Sequence, residues 1–274
     1  LQYAIWGSWL ISLGAYLGGG LDFTGLQIGS FFATMGVASL FMPAVMGIIA
    51  DRWIPAQKLL GICHLVSGGF LIAAASQTAY GPLYSCMLLS VMFYMPTIAL
   101  SNSVAYNALD LARLDTVKHF PPIRVWGTVG FIAAMWFVDL THIGGVQIKL
   151  TEWQLYVSAV LSFLLAVYSF SLPGCPVDRT VKARSWVDTL GLRAFTLFKE
   201  KRMAIFFVFS MLLGAALQIT NAFGDSYIQS FGSMPQYADS AIVKHSVILL
   251  SLSQMSETFC ILPVSYTHLR AHET

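Results

Sequence analysis

The sequence predicts an all-α integral membrane protein, and three observations support this fold class. Hydrophobic residues make up 57% of the chain and charged residues only 10%, whereas soluble domains carry roughly 25% charged residues. Apolar runs recur between short polar breaks, and most reach the roughly 20 residues that one bilayer-spanning helix needs. These runs lack the period-2 alternation of a membrane β-barrel, which leaves helices as the spanning element.

Eight apolar runs define the predicted elements in chain order. The runs cover residues 1–19, 27–49, 57–76, 82–104, 122–140, 153–172, 203–223 and 241–262. Each of the first seven runs ends at a break that contains charged, glycine or proline residues, and the breaks cover residues 20–26, 50–56, 77–81, 105–121, 141–152, 173–202 and 224–240. Pro43 and Pro96 lie inside the second and fourth runs, where a membrane bundle tolerates proline, and we expect both to mark bends.

The basic residues predict the topology. In or beside the breaks after the second, fourth and sixth runs lie 11 of the 15 lysines and arginines, whereas only Lys149 and Lys244 lie in or beside the intervening breaks. By the positive-inside rule, the first set of breaks and the N-terminus are cytoplasmic. Six helices, a long basic cytoplasmic loop and then further helices form the layout of a transporter built from two six-helix halves.

This layout divides the chain into segments. Residues 1–172 are the first half with a truncated first helix, 173–202 the cytoplasmic loop, and 203–262 the start of the second half. Residues 263–274 contain "VSYTHLRAHET", which resembles one reading frame of a transposase adapter from sequencing-library preparation, and we expect them not to be native. We therefore expect a truncated fragment with about eight of twelve transmembrane helices.

Several function classes are excluded by the motifs that the sequence lacks. It contains no glycine-rich phosphate loop, no nucleophile and base pattern and no cluster of metal ligands, and its four cysteines are scattered. His268 and His272 have helical spacing but lie in the segment that we expect not to be native. We therefore predict no enzymatic activity, no metal site and no cofactor.

Polar residues inside the apolar runs are the candidate functional residues, because each is costly in lipid unless it faces a cavity or a partner. In the fifth run, Arg124, Thr128 and Phe131 are spaced i, i+4, i+7 and share one helical face. The alternative for Arg124 is a place at the cytoplasmic end of the helix, where it contacts lipid phosphate. In the third run, His64 is either a hydrogen-bonded core residue or a proton relay.

Two further pairs lie in the seventh and eighth runs. Gln218 and Asn221, and likewise Gln254 and Glu257, are spaced i, i+3. Their amides and acid suit a neutral, polyhydroxylated or heteroaromatic ligand, although single membrane amides also serve as contacts between helices. Glu257 is the strongest signal, because burial disfavours the carboxylate and makes reversible protonation feasible. The alternative is a structural acid that pairs with Arg124.

Several stretches carry a resemblance to known transporters. "GIIADRW" at residues 47–53 resembles the loop between helices two and three of the major facilitator superfamily, with Gly47, Asp51 and Arg52 at the expected spacing. The downstream glycine and basic pair of that motif are absent. "WGSW", "FPPIRVWGTVGF", "LFKEKRMAIFFVFSMLLGAALQITNAFG" and "SQMSET" are similar to the nucleoside:proton symporter family, and the similarity covers nearly all of residues 1–262.

The resemblance implies a major facilitator fold with twelve helices that imports nucleosides with protons across the bacterial inner membrane. It places the family's nucleoside-binding positions on Arg124, Thr128, Phe131, Gln218, Asn221, Gln254 and Glu257, with Glu257 as the proton-coupling residue. The expected partners are a nucleoside, protons and the lipid bilayer, with no nucleic acid, and the protein is expected to be a monomer. The alternatives are another solute such as a sugar, or a membrane sensor that binds without transport.

Overall fold

The computed structural model describes residues 1–177 and 197–271, apart from the side chains of Glu257 and residues 261–271. Part of the predicted cytoplasmic loop, residues 178–196, lies outside the described residues. The helices of the first half are α1 Gln2–Gly7, α2 Leu13–Ala15, α3 Gly25–Arg52, α4 Ala56–Ala75, α5 Tyr80–Leu111, α6 Thr116–Leu140 and α7 Trp153–Ser169. The helices after the loop are α8 Lys201–Ser230, α9 Ala241–Lys244 and α10 Ser246–Ala271.

The apolar runs correctly locate the helices but not all of their ends. Helix α6 begins at Thr116 rather than at 122, because the Asp115 side chain caps it by accepting a 2.9 Å hydrogen bond from the Val117 amide. Pro121 and Pro122 therefore lie inside the helix. Helix α10 continues to Ala271 rather than ending near 262.

The first run is not one regular helix. It forms α1 and α2, joined by turns, and ends in a π-helical segment, Tyr16–Gly20. Glycine favours neither helix nor strand strongly, and five glycines fall within residues 7–20. A two-stranded hairpin, β1 His142–Ile143 and β2 Val146–Gln147, follows α6 and leads into a 3-10 turn, Ile148–Leu150.

Five of the described helices are long and apolar enough to cross a membrane. They are α3, α4, α5, α6 and the helix that begins at Lys201, whereas α7 is apolar but shorter, with 17 residues. Helix α4 packs between α5 and α7, and α1 packs along α6. The predicted membrane fold is thus confirmed in its helical, membrane-spanning character, and the count of eight spans stays a prediction.

His64 lies in the core of the first half and is fully buried. Its Nε2 atom is 2.8 Å from Gln2 Oε1, and its Nδ1 atom is 3.2 Å from Ser162 Oγ. Gln2 in turn donates to Thr97 Oγ1 at 2.7 Å. Both ring nitrogens therefore have protein partners, which favours the core role for His64 over the relay role.

The contact between α1 and α6 depends on Gly7. A Cβ atom at this position would lie 2.4 Å from the carbonyl oxygen of Phe131 and 3.0 Å from its Cα atom. We expect Gly7→Ala to separate the two helices and to lower the thermal unfolding midpoint of the purified protein in detergent by several degrees.

Gly130→Ala is the matched control for the same interface, because its Cβ would meet the Ala4 methyl at an ordinary 3.8 Å. The control should unfold at the native temperature. Equal midpoints for the two variants would contradict the close approach of α1 and α6.

Candidate functional site

A cavity of about 730 Å³ lies between the first half and α8. Its wall is largely apolar, and Trp6, Phe32, Ser39 and Met95 line it from the first half. Gln218 lines it from α8. This volume falls within the range of roughly 300–1,000 Å³ that is typical of small-molecule sites.

Two buried donors belong to residues of this cavity wall. Within the described part of the chain, neither Trp6 Nε1 nor Gln218 Nε2 has a hydrogen-bond partner. An unpaired buried N–H group costs about 1–3 kcal/mol. Both groups would gain from a ligand with acceptor oxygens or ring nitrogens, provided that a small side-chain rotation turns each N–H towards it.

The three predicted residues of α6 lie on the side of that helix that faces α1. The Arg124 guanidinium carbon is 4.1 Å from the centroid of the Tyr3 ring, a cation–π distance. Thr128 and Phe131 are buried at 5% and 7% exposure, and Phe131 belongs to the main apolar core. All three residues thus lie in α6, and Phe131 is closely packed in the core.

Arg124 lies farther from the helix end than its sequence context suggested. Eight residues of α6 precede it, which corresponds to about 12 Å along the axis. It is half-buried and lines a second cavity of about 230 Å³ together with Gln2, Ser101 and Asn102. This cavity places polar protein groups beside the guanidinium.

The remaining predicted residues are distributed over α8 and α10. Asn221 and Gln254 are half-buried. The side chain of Glu257 lies outside the described residues, although its backbone is part of α10. Among the side chains that the structure describes, no hydrogen bond joins any two of the predicted residues, so their roles as one binding site stay a prediction.

The superfamily motif is helical rather than a loop. Gly47, Asp51 and Arg52 all lie in the last two turns of α3, which ends at Arg52. The connection to α4 consists only of Trp53, Ile54 and Pro55. The prediction of a loop was wrong here because the helical pattern continues through the charged pair.

The sequence did not single out a group of buried charged residues that the structure contains. Asp139, Lys149 and Asp225 are each no more than 1% exposed. Asp139 lies inside the fifth apolar run, so the cost of an acid in lipid could have identified it. Lys149 and Asp225 lie in breaks between runs and gave no such signal.

Comparison with known sequences identifies related transporters. A sequence model of the family described as "Nucleoside H+ symporter" matches residues 1–271. The xanthosine permease of Escherichia coli strain K12 is 50% identical over 266 residues, which is 97% of this chain and 62% of that protein. The nucleoside permease NupG of the same strain is 46% identical over the same shares of both chains.

Two solved transporter structures are similar to the chain in fold as well as in sequence. A crystal structure of the nucleoside transporter NupG superposes with a TM-score of 0.84 at 45% identity, and the match covers 98% of this chain and 65% of that one. A mutant of NupG gives a TM-score of 0.87 at 46% identity, with 98% and 66% covered. The chain thus spans 62% of the length of these two curated relatives.

Proposed function

The chain belongs to the nucleoside H+ symporter family, and from this premise we propose that it imports nucleosides by proton symport across the bacterial cytoplasmic membrane. The observation that carries the proposal is the match of the family over residues 1–271. The cavity beside Gln218 supports it, because it lies between the two predicted halves, where transporters of this architecture bind substrate.

The proposal includes the architecture and orientation of the whole transporter. Its fold has twelve helices in two halves, of which residues 1–262 supply eight, and its N-terminus lies in the cytoplasm. No metal or organic cofactor takes part, and the coupling ion is a proton.

Each predicted residue has a proposed role in binding. Gln218, Asn221 and Gln254 offer amide donors and acceptors to the base edge and the ribose hydroxyls. Arg124 and Thr128 add donors from α6, and Phe131 adds an aromatic face from the same helix. Glu257 carries the coupled proton. When Glu257 is charged and no substrate is bound, the switch between the outward-open and inward-open forms is disfavoured.

Uptake by cells or proteoliposomes tests the proposed substrate class. Radiolabelled uridine should accumulate under an inward proton gradient, and a protonophore should abolish this accumulation. Excess xanthosine should compete with uridine, whereas a hexose should not. Competition by the hexose instead would favour a sugar transporter, and saturable binding without accumulation would favour a membrane sensor.

We expect Gln218→Leu to weaken nucleoside binding, because it removes one hydrogen-bonding group from the cavity without much change in volume. The loss of one buried hydrogen bond is worth about 1–3 kcal/mol, which corresponds to roughly 5- to 150-fold in affinity. Binding to purified protein is measured by calorimetry. Gln236→Leu, on the exposed loop after α8, is the control, and equal affinities of both variants would remove Gln218 from the site.

A further inference from the structure

A cluster of buried polar side chains joins the two halves at the predicted extracellular end. We name it the gate cluster, and it consists of Asp139, Lys149, Asp225, His245 and Ser246. Asp139 lies at the end of α6 and Lys149 in the 3-10 turn that follows the hairpin. Asp225 lies in α8, His245 between α9 and α10, and Ser246 at the start of α10. Apart from His245, whose side chain is 36% exposed, its members are at most 1% exposed.

Lys149 is the centre of the gate cluster. Its ammonium group lies 2.5 Å from Asp139 Oδ1 within the first half. The same group donates to the carbonyl oxygen of Lys244 at 2.8 Å and to Ser246 Oγ at 3.3 Å in the second half. One buried cation therefore links the two halves directly.

The two acids complete the connection. Asp139 Oδ2 lies 2.8 Å from His245 Nδ1, again across the halves. Asp225 accepts hydrogen bonds from Ser246 Oγ and, at 2.9 Å, from Gln229 Nε2. Gln147 adds a donor from β2 to the Lys244 carbonyl at 3.3 Å. Opening this end would break the hydrogen bonds and ion pairs that Lys149, Asp139 and Gln147 make to the second half.

The charges of the gate cluster balance only when it binds a proton. The cluster contains two acids, Asp139 and Asp225, and one lysine, Lys149. It therefore has one excess negative charge when both acids are ionised and His245 is neutral. The other nearby charged or titratable groups face elsewhere: the Lys244 ammonium pairs with exposed Asp239 at 3.0 Å, and His142 contacts the Leu140 carbonyl. One bound proton removes this excess charge, and His245 is the member of the cluster that is exposed enough to take it up from water.

We propose that the gate cluster is the lock that closes the extracellular end of the transporter, and that closing it takes up one proton at the pair of His245 and Asp139. The transport context rests on the proposed function. This proton site is separate from Glu257, which lies 11 residues beyond Ser246 in α10, about 16 Å along the helix. The proton enters from the extracellular water and leaves there when the gate opens.

The lock is tested by distance measurement across the gate. Spin labels at Val146→Cys on β2 and Gln236→Cys on the loop after α8, both exposed, report open and closed populations by pulsed electron resonance. The full-length gene product is used in lipid nanodiscs, with its native cysteines replaced by alanine and without substrate. The measurement requires no transport, so it stands even where nucleoside uptake fails.

Lys149→Gln tests the lock, and it is compared with one control variant and one milder variant. Lys149→Gln should raise the ratio of open to closed protein at least about tenfold, because it leaves Asp139 without its buried cation. Lys244→Gln is the matched control, since its side chain is on the surface, and it should leave the ratio unchanged. Gln147→Ala removes a milder donor and should raise the ratio less, which keeps the test valid if Lys149→Gln does not fold.

The pH dependence decides the proton uptake. On this proposal, protonated His245 stabilises the closed form. Lowering the pH from about 8 to about 6 should therefore raise the ratio of closed to open native protein by at least about fivefold. His245→Gln should abolish this shift, whereas His142→Gln should keep it. A native ratio independent of pH, or a shift that persists in His245→Gln, would overturn the proton site. An unchanged ratio in Lys149→Gln would overturn the lock.

Discussion

The Glu257→Gln variant is expected to bind and exchange nucleoside but to lose its proton-driven accumulation. Glutamine keeps the size and hydrogen-bonding oxygen of the protonated acid, yet it cannot release a proton. The site with bound nucleoside would still switch between its outward-open and inward-open forms, but the proton gradient would no longer drive this exchange. One proton moving down about 100 mV supplies about 2.3 kcal/mol, so the native protein concentrates substrate roughly fiftyfold and the variant should reach only equilibrium.

Counterflow in proteoliposomes separates these two properties. Preloaded unlabelled uridine should drive the entry of labelled uridine in Glu257→Gln, while an imposed pH gradient should have no effect. Glu200→Gln, an exposed acid directly before α8, is the matched control and should accumulate uridine normally. Undiminished accumulation by Glu257→Gln would remove this residue from proton coupling.

The structural alternative for Glu257 makes a different prediction. If the acid pairs with Arg124, its replacement leaves a buried cation without a partner, which costs about 3–5 kcal/mol and reduces the amount of folded protein. The paired variant Glu257→Gln with Arg124→Gln should then recover folding. If Glu257→Gln alone folds normally but no longer couples uptake to the proton gradient, the result would instead support the proton role.

The sequence predicts the membrane helices well because lipid imposes a simple rule on each of them. Every spanning segment must be apolar and must satisfy its own backbone, so hydropathy alone locates α3, α4, α5, α6 and α8. The ends follow local chemistry that a hydropathy window ignores. Asp115 caps α6, which begins six residues before the predicted start, and Gly47 to Arg52 continue α3 through charged residues.

The candidate site was only partly predictable, because its geometry depends on contacts between distant segments. Arg124, Thr128 and Phe131 share a face, as their spacing requires, but the packing of Tyr3 against Arg124 depends on how α1 crosses α6. Lys149 lies in a polar break and resembles a solvated lysine in the sequence. Its burial results from α9 and α10 closing over it, which no local pattern records.

The contact of α2 with α8 predicts a second large effect, at Gly14. A Cβ atom on Gly14 would lie 2.5 Å from the carbonyl oxygen of Ala222 and 3.2 Å from Ser226 Oγ. This backbone carbonyl has little freedom to move within the helix, so Gly14→Ala should force the two halves apart at the predicted extracellular end. We expect proton-driven uptake to fall below about a tenth of the native rate, while the protein still folds.

Gly19→Ala is the matched control, because it lies on the same segment and its Cβ would meet nothing within 4 Å. The spin-label distance across the gate should lengthen in Gly14→Ala and stay native in Gly19→Ala. The Gly14→Ala clash and the loss of the Lys149 charge both shift the gate towards its open form, the first by steric repulsion and the second by electrostatics. Native uptake by Gly14→Ala would mean that transport does not require α2 and α8 to meet, and the extracellular closure would then have to occur elsewhere.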